Sequence, residues 1–404
     1  MSGTRAAVSN VKKQTSSGAR PHLLRQTNAQ LLLRLLREAG PCSKADLVRA
    51  SSLSAPTVTN VVAHLAEAGL VEPVGEGDST GGRPPDIIRF RAERGCIAAI
   101  EIGPTHLRFL LTDLDGRELG RAKSDLARQN SKPALVCNQI AKELRNLLRK
   151  QEHVEDSLLA VVVAVPAIVN VEQGIVVSLS KLIAWSNVPL VKLLKRELKC
   201  PVIVENDTNL AAQGEHFRGA AQRESNFVFI TVGEGVGAGI FLDGNIYRGS
   251  QFSAGEIGYL RVPHVSREHP TIHGYGRLEK ILGAPGILRS WHSVASRRSR
   301  PKVNHAVDVF DLAAAGNAQA KKILLQRAAI LSDVILDLAL ILNPTVILLG
   351  GDVGTHPRLL QEVRSLLKGS EFAVVRVAPA ALGSSATLWG AISVGMQFAV
   401  QSLF

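Results

Sequence analysis

Two stretches carry residue types that could do chemistry. Ile230 to Tyr259 reads ITVGEGVGAGIFLDGNIYRGSQFSAGEIGY and places Gly233, Gly235, Gly237 and Gly239 between two apolar runs. Alternate glycines let a backbone turn sharply and let a guest approach its N–H groups, and that guest is often a phosphate. The same spacing also suits a bare strand-to-strand turn, and on spacing alone that plainer reading is favoured. The second stretch is Glu205-Asn206-Asp207, which ends a short apolar run, Pro201–Glu205, just before a helix. An Asp at the carboxyl end of an α/β strand is placed to act as a general base towards a hydroxyl. Local sequence favours a helix cap instead.

The elements around these stretches repeat. Ile97–Glu118, IAAIEIGPTHLRFLLTDLDGRE, has the same plan: an apolar strand ending at Gly103, a second strand from about Leu107, and an Asp115-Gly116 turn. In the later copy Asp243-Gly244-Asn245 is the turn. Two distant copies of strand, Gly turn, strand and Asp-Gly turn predict a two-lobed α/β body with a cleft between its lobes. Helices are expected at Pro133–Arg149, Val191–Leu198, Thr208–Gly214, Pro357–Lys368 and Ala386–Gln401, and strands at Ser157–Ala164, Thr345–Leu349 and Phe372–Val377. Trp185–Pro189 reads as a surface turn. Gly350-Gly351-Asp352 can take a nucleotide or simply turn the chain.

With 404 residues, 46% hydrophobic and 20% charged, the chain is a globular protein of two or three domains. The net charge of +12 permits a nucleic-acid partner. Cys42, Cys96, Cys137 and Cys200 lie far apart with no Cys-x-x-Cys pair, so neither a zinc module nor a disulfide framework is indicated. The first residues lack the apolar core of a signal peptide, and a cytoplasmic location is expected. Ile330–Leu349 is strongly apolar, but Asp333, Asp337, Asn343 and Pro344 make it a buried helix, a break and a strand, with no membrane span.

Residues 1–24 are polar, basic and aperiodic, and read as a disordered arm. Residues 25–90 read as a winged helix-turn-helix. A helix near Thr27–Glu38 presents Leu31, Leu32, Leu35 and Leu36, and Gly40-Pro41 stops it. Ser43 and Asp46 approach a capping box, and Ser54 caps a helix with Pro56 in its first turn. Val58, Val61, Val62 and Leu65 form that helix's core stripe. Thr57, Thr59 and Asn60 are candidates to contact base edges, and Lys44 and Arg49 to contact phosphates. Arg83, in Gly81-Gly82-Arg83-Pro84-Pro85, suits either a minor groove or a stiff linker. Residues 91–404 form the body, with the cleft near 205–279.

Taken together, the residues resemble the ROK family of repressors, open reading frames and kinases, specifically its regulators with an N-terminal winged helix. NAQLLLRLLREAGPCSKADLVRASSLSAPTVTNVVAHLAEAGLVEPVGEGDSTGGRPP looks like the regulators' DNA-binding head. WSNVPLVKLLKRELKCPVIVENDTNLAAQGE, TVGEGVGAGIFLDGNIYRG…SAGEIGY and NPTVILLGGDVG are similar to the family's catalytic strand, signature and nucleotide-side strand. The resemblance implies an actin-like, duplicated ribonuclease-H-like body. It implies a sugar site at Lys181, Asn206, Asp207, Glu256, Tyr259 and Glu279, and nucleotide-loop remnants at Gly103, Thr105, Gly233, Gly235, Gly350 and Gly351. Family kinases carry Asp-x-Gly-Gly-Thr where this chain has Glu101-Ile102-Gly103-Pro104-Thr105. Pro104 removes a backbone donor and Glu101 moves a carboxylate, so ATP is not expected as a cofactor. Tyr259 replaces the family's zinc-binding His and Thr271–Glu279 has no cysteine, so zinc is not expected, although His264, His269 and His273 lie nearby. Lys181, in place of an Asn, suggests an anionic sugar derivative.

The expectation is a DNA-binding repressor of carbohydrate genes with a vestigial base at Asp207. It would bind an inverted-repeat operator as a dimer or tetramer, under control of a sugar in the cleft. The alternative is an active sugar kinase carrying a DNA-binding head.

Overall fold

Gly40 ends the first helix in the left-handed region (φ 75°), its N–H on the Leu36 carbonyl at 3.1 Å. That helix, α1 (Pro21–Ala39), leads into β1 (Cys42–Ser43), α2 (Lys44–Ser51), α3 (Ala55–Glu67), β2 (Val71–Glu76) and β3 (Asp86–Phe90). The computed structural model describes residues 21–76, 84–126, 132–153, 155–178, 185–261, 274, 276–294, 301–368 and 375–402. The expected arm therefore lies mostly outside the described residues, and α1 already includes Pro21. The wing tip with Arg83 also lies outside them.

Two caps set the helices of this head. The Ser43 hydroxyl accepts from the Asp46 N–H while the Asp46 carboxylate accepts the Ser43 N–H, a complete capping box. Ser54 accepts from the Thr57 N–H at 3.3 Å to start α3. The buried stripe of α1 is Ala29, Leu32, Leu33 and Leu36, with Leu31 and Leu35 only half-buried. It meets Leu47 of α2 and Val58, Val61, Val62 and Leu65 of α3 in one apolar core. The strands form an antiparallel sheet in the order β1-β3-β2.

The chain divides into two units, Met1–Arg91 with Val400–Phe404, and Ala92–Ala399. The second unit contains two sheets. The first is built from β4 (Cys96–Ile102), β5 (His106–Asp113), β6 (Glu118–Asp125), α4 (Pro133–Lys150), β7 (Leu158–Val165), a small hairpin β8 (Ile168–Asn170) and β9 (Ile175–Ser178), α5 (Leu190–Glu197) and β10 (Val202–Asn206). After α6 (Asp207–Arg218) come β11 (Phe227–Val232), β12 (Val236–Leu242), β13 (Asn245–Ile246), α7 (Arg277–Leu282), α8 (Ala284–Val294), α9 (Ala306–Ala314) and α10 (Ala318–Leu342). The remainder is β14 (Val346–Gly350), a short turn of helix α11 (Gly351–Gly354), α12 (Pro357–Leu367), β15 (Arg376–Pro379) and α13 (Ala386–Ser402).

The strand orders are β10-β7-β4-β5-β6 and β13-β12-β11-β14-β15. In each sheet three consecutive strands run antiparallel, the fourth pairs parallel to the first, and the fifth pairs parallel to the fourth. This shared topology is the duplication that the two Gly-turn stretches forecast. Trp185 departs from expectation: it is 2% exposed and packs in the core beneath the first sheet. An indole buries more apolar area than a surface turn would give it. Among the described residues, no helix is long and apolar enough to cross a membrane.

Candidate functional site

A cleft of about 800 Å³ lies between the two sheets. The β4–β5 turn supplies Gly103 and Pro104, the start of α6 supplies Asn206 to Asn209, and the glycine-rich turn supplies Gly233 to Gly237. Glu256, Tyr259, Glu279, Gly351 and Asp352 complete the polar wall. Thr105 and Gly350, expected at the nucleotide loops, are not among the lining residues. Thr105 is exposed with its hydroxyl 3.3 Å from His106 Nδ1, and a Cβ at Gly350 would lie 2.2 Å from the Phe229 ring.

The Asn206 side chain, rather than that of Asp207, caps α6. Its oxygen accepts from the N–H groups of Thr208 and Asn209, both at 2.9 Å, and its nitrogen donates to the Ala167 carbonyl at 3.1 Å. Asp207 is thereby freed to face the cleft as the first helical residue. Desolvation pushes its carboxyl up to about 7, the charge of Glu101 adds to this, and Glu256 contributes less. Glu256 is also pushed up to about 7, by burial and then by Glu279. Tyr259 rises to about 12 through burial and both glutamates, and its hydroxyl donates to the Gly274 carbonyl at 3.2 Å. Asn209 is 5% exposed, and its amide oxygen has no hydrogen-bond partner among the described residues.

The glycine turn serves close approach. A Cβ at Gly235 would stand 2.9 Å from Glu279 Oε1, so glycine lets that carboxylate reach the turn. The β4–β5 turn is closed on itself: the Gly103 N–H donates to the His106 carbonyl at 2.9 Å, and Pro104 has no N–H. Behind it Glu101 forms an ion pair with Arg108, which also donates to the Ser384 carbonyl at 2.7 Å.

Arg108 was legible in principle, because a hairpin turning at 103–106 pairs Glu101 with Arg108. Phe252, which lines the cleft with φ 58°, left no signal in the sequence. Nor did the pairing of buried Glu205 with Arg248. Lys181 and His264, His269 and His273 lie outside the described residues.

In the head, Thr59 and Asn60 are exposed on α3. Thr57 is half-buried, with its hydroxyl 2.8 Å from that of Ser54, so it supports the cap. Lys44 is half-buried at the start of α2, and Arg49 is exposed but paired with Asp46.

Residues 27–72 match the MarR family and residues 97–397 match the ROK family. The chain is 24% identical over 376 residues to a xylose repressor of Bacillus spizizenii, covering 92% of this chain and 95% of that protein. It is 30% identical over 299 residues to a glucokinase of Halalkalibacterium halodurans, covering 72% of this chain and 89% of the kinase. A crystal structure described as a ROK family transcriptional regulator, homologous to the E. coli MLC protein, shares the fold. Its TM-score is 0.77 at 24% identity, over 95% of this chain and 98% of that one. With the family's pattern running through both sheets and the cleft between them, this chain belongs to the ROK family.

Proposed function

We propose that the protein is a DNA-binding transcriptional repressor whose body senses a sugar without phosphorylating it. One observation carries this reading. The sugar-side carboxylates Asp207, Glu256 and Glu279 converge on the cleft, while the phosphate-side turn is self-bonded at Gly103, interrupted by Pro104 and backed by the Glu101–Arg108 pair. The head adds a capped helix whose exposed Thr59 and Asn60 suit base edges in a major groove. Paired heads would suit an inverted-repeat operator, so the working form is a homo-oligomer. Neither ATP nor zinc is needed for this role.

The described cleft wall holds Asp207, Glu234, Glu256, Glu279 and Asp352 and no Lys, Arg or His. Such a wall accepts hydrogen bonds from the hydroxyls of a polyol. The xylose repressor among the relatives makes D-xylose a first candidate, and repression of carbohydrate genes the proposed output.

The test is fluorescence anisotropy with a duplex that the protein itself selects from a random-sequence pool, with and without D-xylose, D-glucose and N-acetyl-D-glucosamine. Specific binding that one sugar weakens is the expected result. Binding no tighter than to random duplex would sink the reading.

The glucokinase relative and a base held near neutrality favour a second reading, a sugar kinase with a DNA-binding head. ADP release from ATP and a hexose, abolished by Asp207→Asn, would establish it.

A further inference from the structure

Phe252 is held in a backbone conformation that its side chain disfavours. It has φ 58°, in the left-handed region where a bulky residue is a genuine outlier. Phe252 belongs to none of the hydrophobic cores among the described residues and enters none of their ring pairs. It is half-buried, and it lines the cleft.

The loop around it is fixed at both ends. Arg248 is bound to Glu205 at 2.7 Å, and the Arg248 carbonyl accepts the Ala254 N–H at 3.1 Å. Four residues beyond Phe252 stands Glu256, whose carboxyl faces the same cleft. Backbone strain of this kind survives where the surroundings enforce it, and it gathers at ligand clamps. Glycine would take the same φ without strain. A phenyl ring therefore stands where glycine would be unstrained.

We propose that Phe252 is a stacking platform for the ligand, and that the ligand is a cyclic sugar presenting one C–H face to the ring while its hydroxyls donate to Asp207, Glu256 and Asn209 Oδ1. A pyranose has such a face, and an open-chain polyol of the same composition lacks it. Asn209 Oδ1, buried and unpartnered among the described residues, supplies an acceptor beside the carboxylates. This assignment rests on the sugar-sensing reading of the cleft.

The experiment uses the full-length protein and two readouts. Thermal melting of the ligand-free protein is followed for the wild type, Phe252→Gly and Phe252→Leu. Calorimetric titration then uses D-xylose, D-glucose and N-acetyl-D-glucosamine, with xylitol and sorbitol as open-chain controls. Phe252→Gly should melt about 2–4 °C higher, because the strain is gone. It should also bind the preferred cyclic sugar about tenfold or more weakly, as expected for a lost aromatic contact. Phe252→Leu keeps the strain and an apolar bulk but not the flat face, so its affinity should fall without a gain in melting temperature. Wild-type affinity for the cyclic sugar should exceed that for its open-chain polyol.

Unchanged affinity in both variants would overturn the platform and leave the sugar-sensing reading standing. Equal binding of xylose and xylitol would overturn it too. A wild type that binds none of the sugars would overturn both.

Discussion

Glu205 and Arg248 join the two halves of the body: the carboxylate at the end of β10 accepts from Arg248 Nε at 2.7 Å, beyond the last strand of the other sheet's hairpin. Glu205 is 4% exposed, and its other oxygen accepts from the Asn206 N–H at 2.8 Å and from the Asn209 amide at 3.2 Å. One buried carboxylate thus orients the start of α6 and the loop that carries Phe252 and Glu256. Removing the cation leaves that carboxylate uncompensated. Arg248→Met should destabilise the body by roughly 1–3 kcal/mol, less than a fully buried pair because Arg248 is partly solvated. It should also weaken sugar binding. Urea unfolding and calorimetric titration check the two effects.

Asp207 and Glu256 make stability depend on pH in a defined direction. Both carboxyls are raised to about 7 in the folded protein, from ordinary values near 4. Between those limits the folded state holds more protons than the unfolded state, so stability falls as pH rises from about 4 to about 7 and then levels. Asp207→Asn and Glu256→Gln should therefore melt above the wild type at pH 8, with the advantage shrinking towards pH 5. Wild-type sugar affinity should follow the opposite course and weaken below pH 7, as the accepting carboxylates become protonated. Melting and titration series across pH 5 to 8 measure both.

On the head, Asn60→Ala should reduce specific operator binding by about tenfold or more while leaving random-duplex binding and its salt dependence unchanged. Arg49→Ala should reduce both kinds of binding only slightly, because its guanidinium is already paired with Asp46. Anisotropy titrations at several salt concentrations separate the two behaviours.

Gly351 and Gly244 have nearly the same φ, 78° and 76°, but different surroundings. A Cβ at Gly351 would lie 2.3 Å from the Val232 carbonyl oxygen, whereas one at Gly244 would meet nothing within 4 Å. Gly244→Ala should cost about 1 kcal/mol of conformational strain. Gly351→Ala should cost roughly 3 kcal/mol or more, since backbone must also move. Denaturant midpoints of the two variants give the comparison.

By itself the sequence determined the elements whose causes are local. Ser43 with Asp46, Ser54 before Pro56, and the stripe Val58, Val61, Val62 and Leu65 specify the head through caps and period. The two Gly-turn and Asp-Gly-turn stretches announced a duplication, because turn chemistry is written in neighbouring residues. What only the tertiary structure decided depends on residues far apart in the chain. The sequence read Asp207 as the cap of α6, but Asn206 takes that place, its amide fixed by the Ala167 carbonyl between β7 and β8. Trp185 looked like a turn residue until the core beneath the first sheet enclosed it. Glu205 was one acid among many until Arg248 met it, and Phe252 an ordinary aromatic until its φ was known. Capping and periodicity act over a few residues, whereas desolvation, ion pairing and enforced strain arise only when the chain brings distant groups together.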